Sequence, residues 1–213
     1  MVTKGTMSNA RTLLASIATT AALTLSFIAP AFAADSGSAL ETFKARHTAV
    51  VDLVKLNADD AKLQSEVDKL LNYKVLAEKS LGGATHYQER CAPKCDEFEK
   101  LLTDLIRRNY LDRIRTNTNY EVEYIGEEAK EKYTKVLTRV KYENNGRPES
   151  VEVIYKMAKT EDGVWMAIDL STDGVSLGRT YKHEFKQLHQ EGGIELLVSK
   201  LKRKLDELKA KGK

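Results

Sequence analysis

The sequence predicts an α+β domain, and two changes of hydrophobic period predict it. Apolar residues recur at three- and four-residue spacing between Ser38 and Leu81 and between Phe98 and Tyr110, the mark of helices with one buried face. From Tyr120 to Leu170 the period falls to two, the mark of strands. Helical spacing returns at Leu177. Helices, then hairpin-linked strands, then helices build a curved antiparallel sheet of about four strands, packed on one face by N- and C-terminal helices.

Each element has its own warrant. Phe43, Val50, Val51 and Val54 form the stripe of a first helix, and Leu63, Val67, Leu70 and Leu71 that of a second, capped by Asp59 or Asp60. Asn72 caps a third helix carrying Val75, Leu76 and Leu81, which Gly82-Gly83 ends. Pro93 opens a longer helix with Phe98, Leu101, Leu102, Leu105, Ile106 and Tyr110 on one face. Tyr120, Val122 and Tyr124 begin the strands, followed by Thr134, Val136, Thr138, Val140 and Tyr142. Asn144-Asn145-Gly146 is a hairpin turn, because Asn and Gly tolerate positive φ. Val151, Val153, Tyr155 and Met157 follow, then the Glu161-Asp162-Gly163 turn, then Val164, Met166, Ile168 and Leu170. Leu177, Tyr181, Phe185 and Leu188 resume helical spacing, continued by Leu196, Leu197, Leu201 and Leu205. The Lys-rich end, Lys200 to Lys213, reads as a solvated helix terminus.

The first 33 residues read differently. Lys4 and Arg11 form a positive leader, Leu13 to Ile28 an apolar run of about 16 residues, and Ala31-Phe32-Ala33 a small-x-small cleavage site. The run is shorter than the roughly 20 residues of a spanning helix. Residues 1–33 are therefore expected to be a cleaved signal peptide and 34–213 a single domain in an exported protein. Losing Lys4 and Arg11 lowers the formal charge from +3 to +1. A nearly neutral chain has no electrostatic footprint for nucleic acid.

Catalytic and metal signals are weak. Gly174-Val175-Ser176-Leu177-Gly178 matches the G-x-S-x-G nucleophile elbow, but that motif needs a parallel sheet and later strands bearing an acid and a histidine. Only about 35 residues follow, so Ser176 reads as a helix cap. His47, His86, His183 and His189 have no ligand spacing and read as surface or partly buried. Asp169, among apolar strand residues near Trp165, reads as a structural hydrogen-bond acceptor for a turn. No catalytic residue, metal or cofactor is expected. Cys91 and Cys95 stand at i, i+4 across Pro93, within reach of a short disulfide in an oxidising compartment. Two free thiols or a redox pair are the other readings.

Trp165-Met166-Ala167-Ile168-Asp169, then Asp173-Gly174-Val175-Ser176-Leu177, then Tyr181 and Phe185, resemble the W-x-x-x-D-x-x-x-E-G-V-S-L-x-x-x-Y-x-x-x-F signature of the MlaC-type, toluene-tolerance family. Leu71-Asn72-Tyr73 to Ala77 with Leu81-Gly82, and Phe98 to Tyr110, are similar to the family's helices. The resemblance covers most of residues 40–204. Asp173 stands where the family usually has Glu, Asn72 where it usually has Asp, and the cysteine pair lies outside the signature.

The resemblance implies an NTF2-like fold and a periplasmic phospholipid carrier, not an enzyme. Such a carrier moves lipid between an inner-membrane ABC transporter complex and an outer-membrane lipoprotein–porin complex, maintaining outer-membrane asymmetry, and is expected to act as a monomer. By period alone, Val140, Val153, Tyr155 and Ile168 on the strands and Tyr110, Leu177, Tyr181 and Phe185 on the helices are core residues. With the resemblance they become the expected lipid-binding set. A filled-core exported domain acting in protein–protein interaction would show the same pattern, and an exported hydrolase would need the Ser176 elbow to be real.

Overall fold

A computed structural model describes residues 37–116 and 120–211; residues 1–33, expected to be a signal peptide, lie outside the described residues. Helices α1 (Ala39–Lys55), α2 (Asp60–Val67), α3 (Tyr73–Ser80), α4 (Ala84–Cys91) and α5 (Cys95–Thr116) come first. Strands β1 (Tyr120–Ala129), β2 (Thr134–Asn144), β3 (Arg147–Lys159), β4 (Trp165–Thr172) and β5 (Val175–Ser176) follow, and α6 (Leu177–Lys211) is the last described element.

Local chemistry sets the helix starts. Ser38 and Glu41 form a reciprocal capping box on α1. Asp59 caps α2 by accepting from the Lys62 N–H, and Asn72 caps α3 by accepting from the Val75 N–H. Helix α4 is an addition to the sequence reading, which passed from Gly82-Gly83 straight to Pro93. Its Ala-Thr-His-Tyr-Gln-Glu-Arg-Cys sequence buries only Cys91, so it has almost no apolar stripe to betray it. Cys91 and Cys95 are joined by a disulfide, with Cα atoms 4.6 Å apart, which ties the end of α4 to the start of α5.

The strands form an antiparallel meander in the order β1-β2-β3-β4-β5. Among the described residues the sheet has five strands where the period suggests about four, because β5 is a two-residue strand too short to show alternation. The same edge of β4 is covered further along by the α2–α3 connection. Ala167 donates to the Leu70 carbonyl at 2.8 Å and accepts from the Asn72 N–H at 2.9 Å, which leaves less exposed edge to pair with another chain.

One face of the sheet carries the core. Phe43 of α1 packs on Tyr155 with ring centroids 4.2 Å apart. Phe98 of α5 meets Phe185 of α6 edge-on at 5.8 Å. Arg107 of α5 makes a bidentate pair with Asp68, at 2.9 and 3.0 Å, and clamps α5 to the end of α2. Helix α6 breaks direction at Gly192-Gly193, where Gly193 has φ +63°. A β-carbon on Gly192 would stand 2.8 Å from that of Leu196, so both glycines suit the bend.

His47 corrects the reading of the histidines as surface or partly buried. It is 6% exposed, stacks on Phe43 at 5.2 Å, and its Nδ1 shares a hydrogen bond with the Tyr124 hydroxyl at 2.8 Å. Burial lowers its pKa to about 4. In the unfolded chain the imidazole takes a proton near pH 6.5, whereas in the folded chain it stays neutral until about pH 4. Stability from this group is thus complete above pH 6.5 and falls as pH drops through that window, by about 3 kcal/mol in all. Urea unfolding from pH 7 to pH 4 should show this loss, and His47→Phe should flatten it. An unchanged slope in that variant would exclude His47 as the source.

Candidate functional site

The site starts from a buried carboxylate. Asp169 of β4 is 5% exposed and accepts three hydrogen bonds. Lys156 of β3 donates from Nζ at 3.1 Å, Ser176 from Oγ at 2.8 Å, and the Gly178 N–H at 3.0 Å. Ser176 Oγ in turn accepts from the Arg179 N–H at 3.1 Å and so caps α6. Alongside, Asp173, at φ +46°, accepts from the Glu152 N–H through Oδ1, while its own N–H donates to the Glu152 carbonyl. Asp169 and the Asp173-Gly174-Val175-Ser176 segment therefore form a latch that fixes the start of α6 to the sheet, while Trp165 donates from its indole N–H to the Gly37 carbonyl at 3.1 Å. Ser176 is 2% exposed and directs its hydroxyl to Asp169, while His183 is exposed and shares a contact with Gln187. No Ser–His hydrogen bond joins them, and the elbow geometry is missing.

Holding α6 there opens a cleft of about 510 Å³ between α5, the end of β4 and the β5–α6 turn, within the usual range for small-molecule sites. Ile106 and Tyr110 of α5, Leu170 of β4, and Leu177 and Tyr181 of α6 give it apolar walls. Asn109, Arg113, Thr180 and Glu184 add polar groups, and Val175, 65% exposed, stands at the edge. The Tyr110 hydroxyl is buried without a hydrogen bond of good geometry, although it lies near that of Tyr155. Burial, and secondarily Tyr155, pushes its pKa well up. Burial also raises Tyr181, partly offset by Asn109. Both phenols are neutral at physiological pH, so the interior carries no phenolate charge. Among the described residues, no group of His, Cys, Asp and Glu is arranged to hold a metal ion, and no helix is long and apolar enough to cross a membrane.

Three of the eight residues singled out in the sequence line this cleft: Tyr110, Leu177 and Tyr181. Phe185 lies one turn along α6, stacked on Tyr181 at 5.2 Å and buried in the core. Tyr155 is buried between Phe43 and Tyr110. Val153 pairs with Thr172, which lines the cleft, but itself lies one strand away from it, while Val140 lies on β2 farther across the sheet. Ile168 is displaced for a clear reason. Lys156 pairs with Asp169 and Met157 with Ala167, so Ile168 is the extra residue of a β-bulge. Without the bulge Ile168 would stand opposite Met157; with it Ala167 takes that place, and Leu170, opposite Tyr155, is the apolar residue of β4 that lines the cleft. Sequence reasoning also missed Asn109, Arg113, Thr180 and Glu184, polar helix positions with no local signal apart from their spacing next to Tyr110 and Tyr181.

A family model described as MlaC protein matches residues 50–203, well over half of the chain. The chain belongs to the MlaC family. Among solved structures, it is similar to a phospholipid-binding protein from Ralstonia solanacearum determined in complex with a phospholipid. That likeness has a TM-score of 0.67 and 23% sequence identity, and covers 81% of this chain and 99% of the other. At this identity it establishes the shared fold. A search of curated proteins finds no match.

Proposed function

We propose that the chain is a periplasmic phospholipid carrier that holds acyl chains in the cleft between α5, β4 and α6. The observation that carries this reading is the cleft itself: apolar walls and a polar margin in a member of the MlaC family. The Ralstonia relative, with a phospholipid bound, supports the choice of ligand. Each buried CH₂ is worth roughly 0.8 kcal/mol, so one acyl chain of about 16 carbons supplies on the order of 10 kcal/mol. Tail burial is a sufficient driving force, and no bond needs to be made or broken. Arg113 is suited to meet a phosphate at the margin, since guanidinium binds phosphate oxygens in pairs.

In this reading residues 1–33 are a signal peptide, residues 34–213 are one lipid-binding domain, and the protein acts as a monomer. It shuttles lipid between an inner-membrane ABC transporter complex and an outer-membrane lipoprotein–porin complex, and so maintains outer-membrane asymmetry. Native mass spectrometry of protein exported by a Gram-negative host tests export and cargo together. The expected species begins at Ala34 and carries the added mass of a diacyl phospholipid. Lipid-free protein, or a chain keeping residues 1–33 in the membrane fraction, would contradict the reading.

A further inference from the structure

On the other flank of α6, against the α3–α4 corner, lies a notch of about 130 Å³ whose lining is cationic. Leu81 and Phe185, both buried, form its apolar floor. Arg90 of α4 and Lys182, Lys186 and His189 of α6 stand around it. The three α6 residues are spaced by four and three, hence on one side of the helix. Farther along α6, Lys202 faces Glu97, and Arg203 and Lys204 face Glu207. Among the described residues, no carboxylate forms such an ion pair with Arg90, Lys182 or Lys186.

Arg90 is also held in place. Its Nη1 donates to the Leu81 carbonyl at 2.7 Å, and its own carbonyl is 3.1 Å from His189 Nε2, which must therefore carry the hydrogen. The next residue after Leu81 is Gly82, at φ +102°, and a β-carbon there would collide with Arg90 Nη1. The loop leaves room for the guanidinium where any side chain would displace it. A pre-oriented cation loses little freedom on binding.

We propose that this notch is a docking socket for a glutamate or aspartate side chain of a protein partner. The carboxylate meets Arg90, Lys182 and Lys186, and the aliphatic stem rests on the Leu81–Phe185 floor. A protein segment fits better than a bilayer, because the apolar atoms are recessed in a concavity sized for one side chain. The large exposed apolar residues Leu56, Ile125 and Val175 are not among the notch residues. The socket shares no lining residue with the cleft, so it stands independently of lipid carriage.

The test is NMR titration of the ¹⁵N-labelled protein with four probes. They are a helical peptide presenting two glutamates around a leucine, its glutamine counterpart, inorganic phosphate, and phosphatidylethanolamine–phosphatidylglycerol vesicles. The glutamate peptide should shift amides of residues 79–90 and 182–190, and bind about tenfold more tightly than the glutamine peptide. Added salt should weaken it. Lys182→Gln with Lys186→Gln should reduce binding by a similar factor while the lipid load seen by native mass spectrometry stays unchanged. Gly82→Ala, which alters no charge, should weaken it through Arg90. Equal binding of both peptides, saturation by phosphate without peptide binding, or a response to vesicles alone would each overturn the proposal.

Discussion

Leu170→Asp is expected to strip the protein of bound phospholipid. Leu170 lines the cleft on β4 opposite Tyr155 and is only partly buried. A carboxylate there would face alkyl chains with no cation assigned to it, at a cost of several kcal/mol. That corresponds to a fall in affinity of about a hundredfold or more. Because the side chain borders open volume, the domain should still fold, which circular dichroism checks. Leu170→Met, which conserves volume, should retain lipid. Val153→Asp is the discriminating companion. Val153 lies one strand away from the cleft wall, so the same charge should reduce lipid load far less. If Val153→Asp loses lipid while folded Leu170→Asp keeps it, the lipid occupies the wider face of the sheet.

The other large effect should come from Asp169→Ala. Removing the carboxylate strands the Ser176 hydroxyl and the Gly178 N–H, both buried, and releases Lys156. A buried donor left unsatisfied costs about 1–3 kcal/mol, so a loss of about 3 kcal/mol or more is expected. For a domain of this size that lowers Tm by roughly 6–12 °C. Asp169→Asn keeps acceptor capacity and should recover part of the loss. Ser176→Ala should cost about 1 kcal/mol, the usual worth of a cap. The double variant should fall short of the sum, because both residues belong to one network. Stability of Asp169→Ala within 1 kcal/mol of the parent would show that the latch contributes nothing. Since the latch sets the first turn of α6, which carries Leu177, Thr180 and Tyr181 into the cleft, lipid retention should weaken with it.

Much of the architecture follows from local signals that act over a few residues. Hydrophobic period is a property of neighbouring positions, so α1, α5 and the meander are legible, as are the Asp59 and Asn72 caps and the Asn145-Gly146 turn. Helix α4 is not, because a helix that buries one side chain has no stripe. The site is legible only in part. Tyr110, Leu177 and Tyr181 are found because helical spacing reports which face turns inward.

Which inward residues touch a void and which touch each other is decided elsewhere. Phe185 is at the correct spacing but meets Phe98, and Tyr155 meets Phe43, because packing partners come from remote segments. A single bulged residue at Ile168 gives its expected place opposite Met157 to Ala167. His47 has no apolar character of its own, yet three aromatic rings from α1, β1 and β3 enclose it and hold it neutral. The sequence by itself determined the order and kind of the elements, since those depend on contacts close along the chain. Only the tertiary structure decided where volume is left unfilled and which polar groups are buried together, since those depend on how distant segments meet.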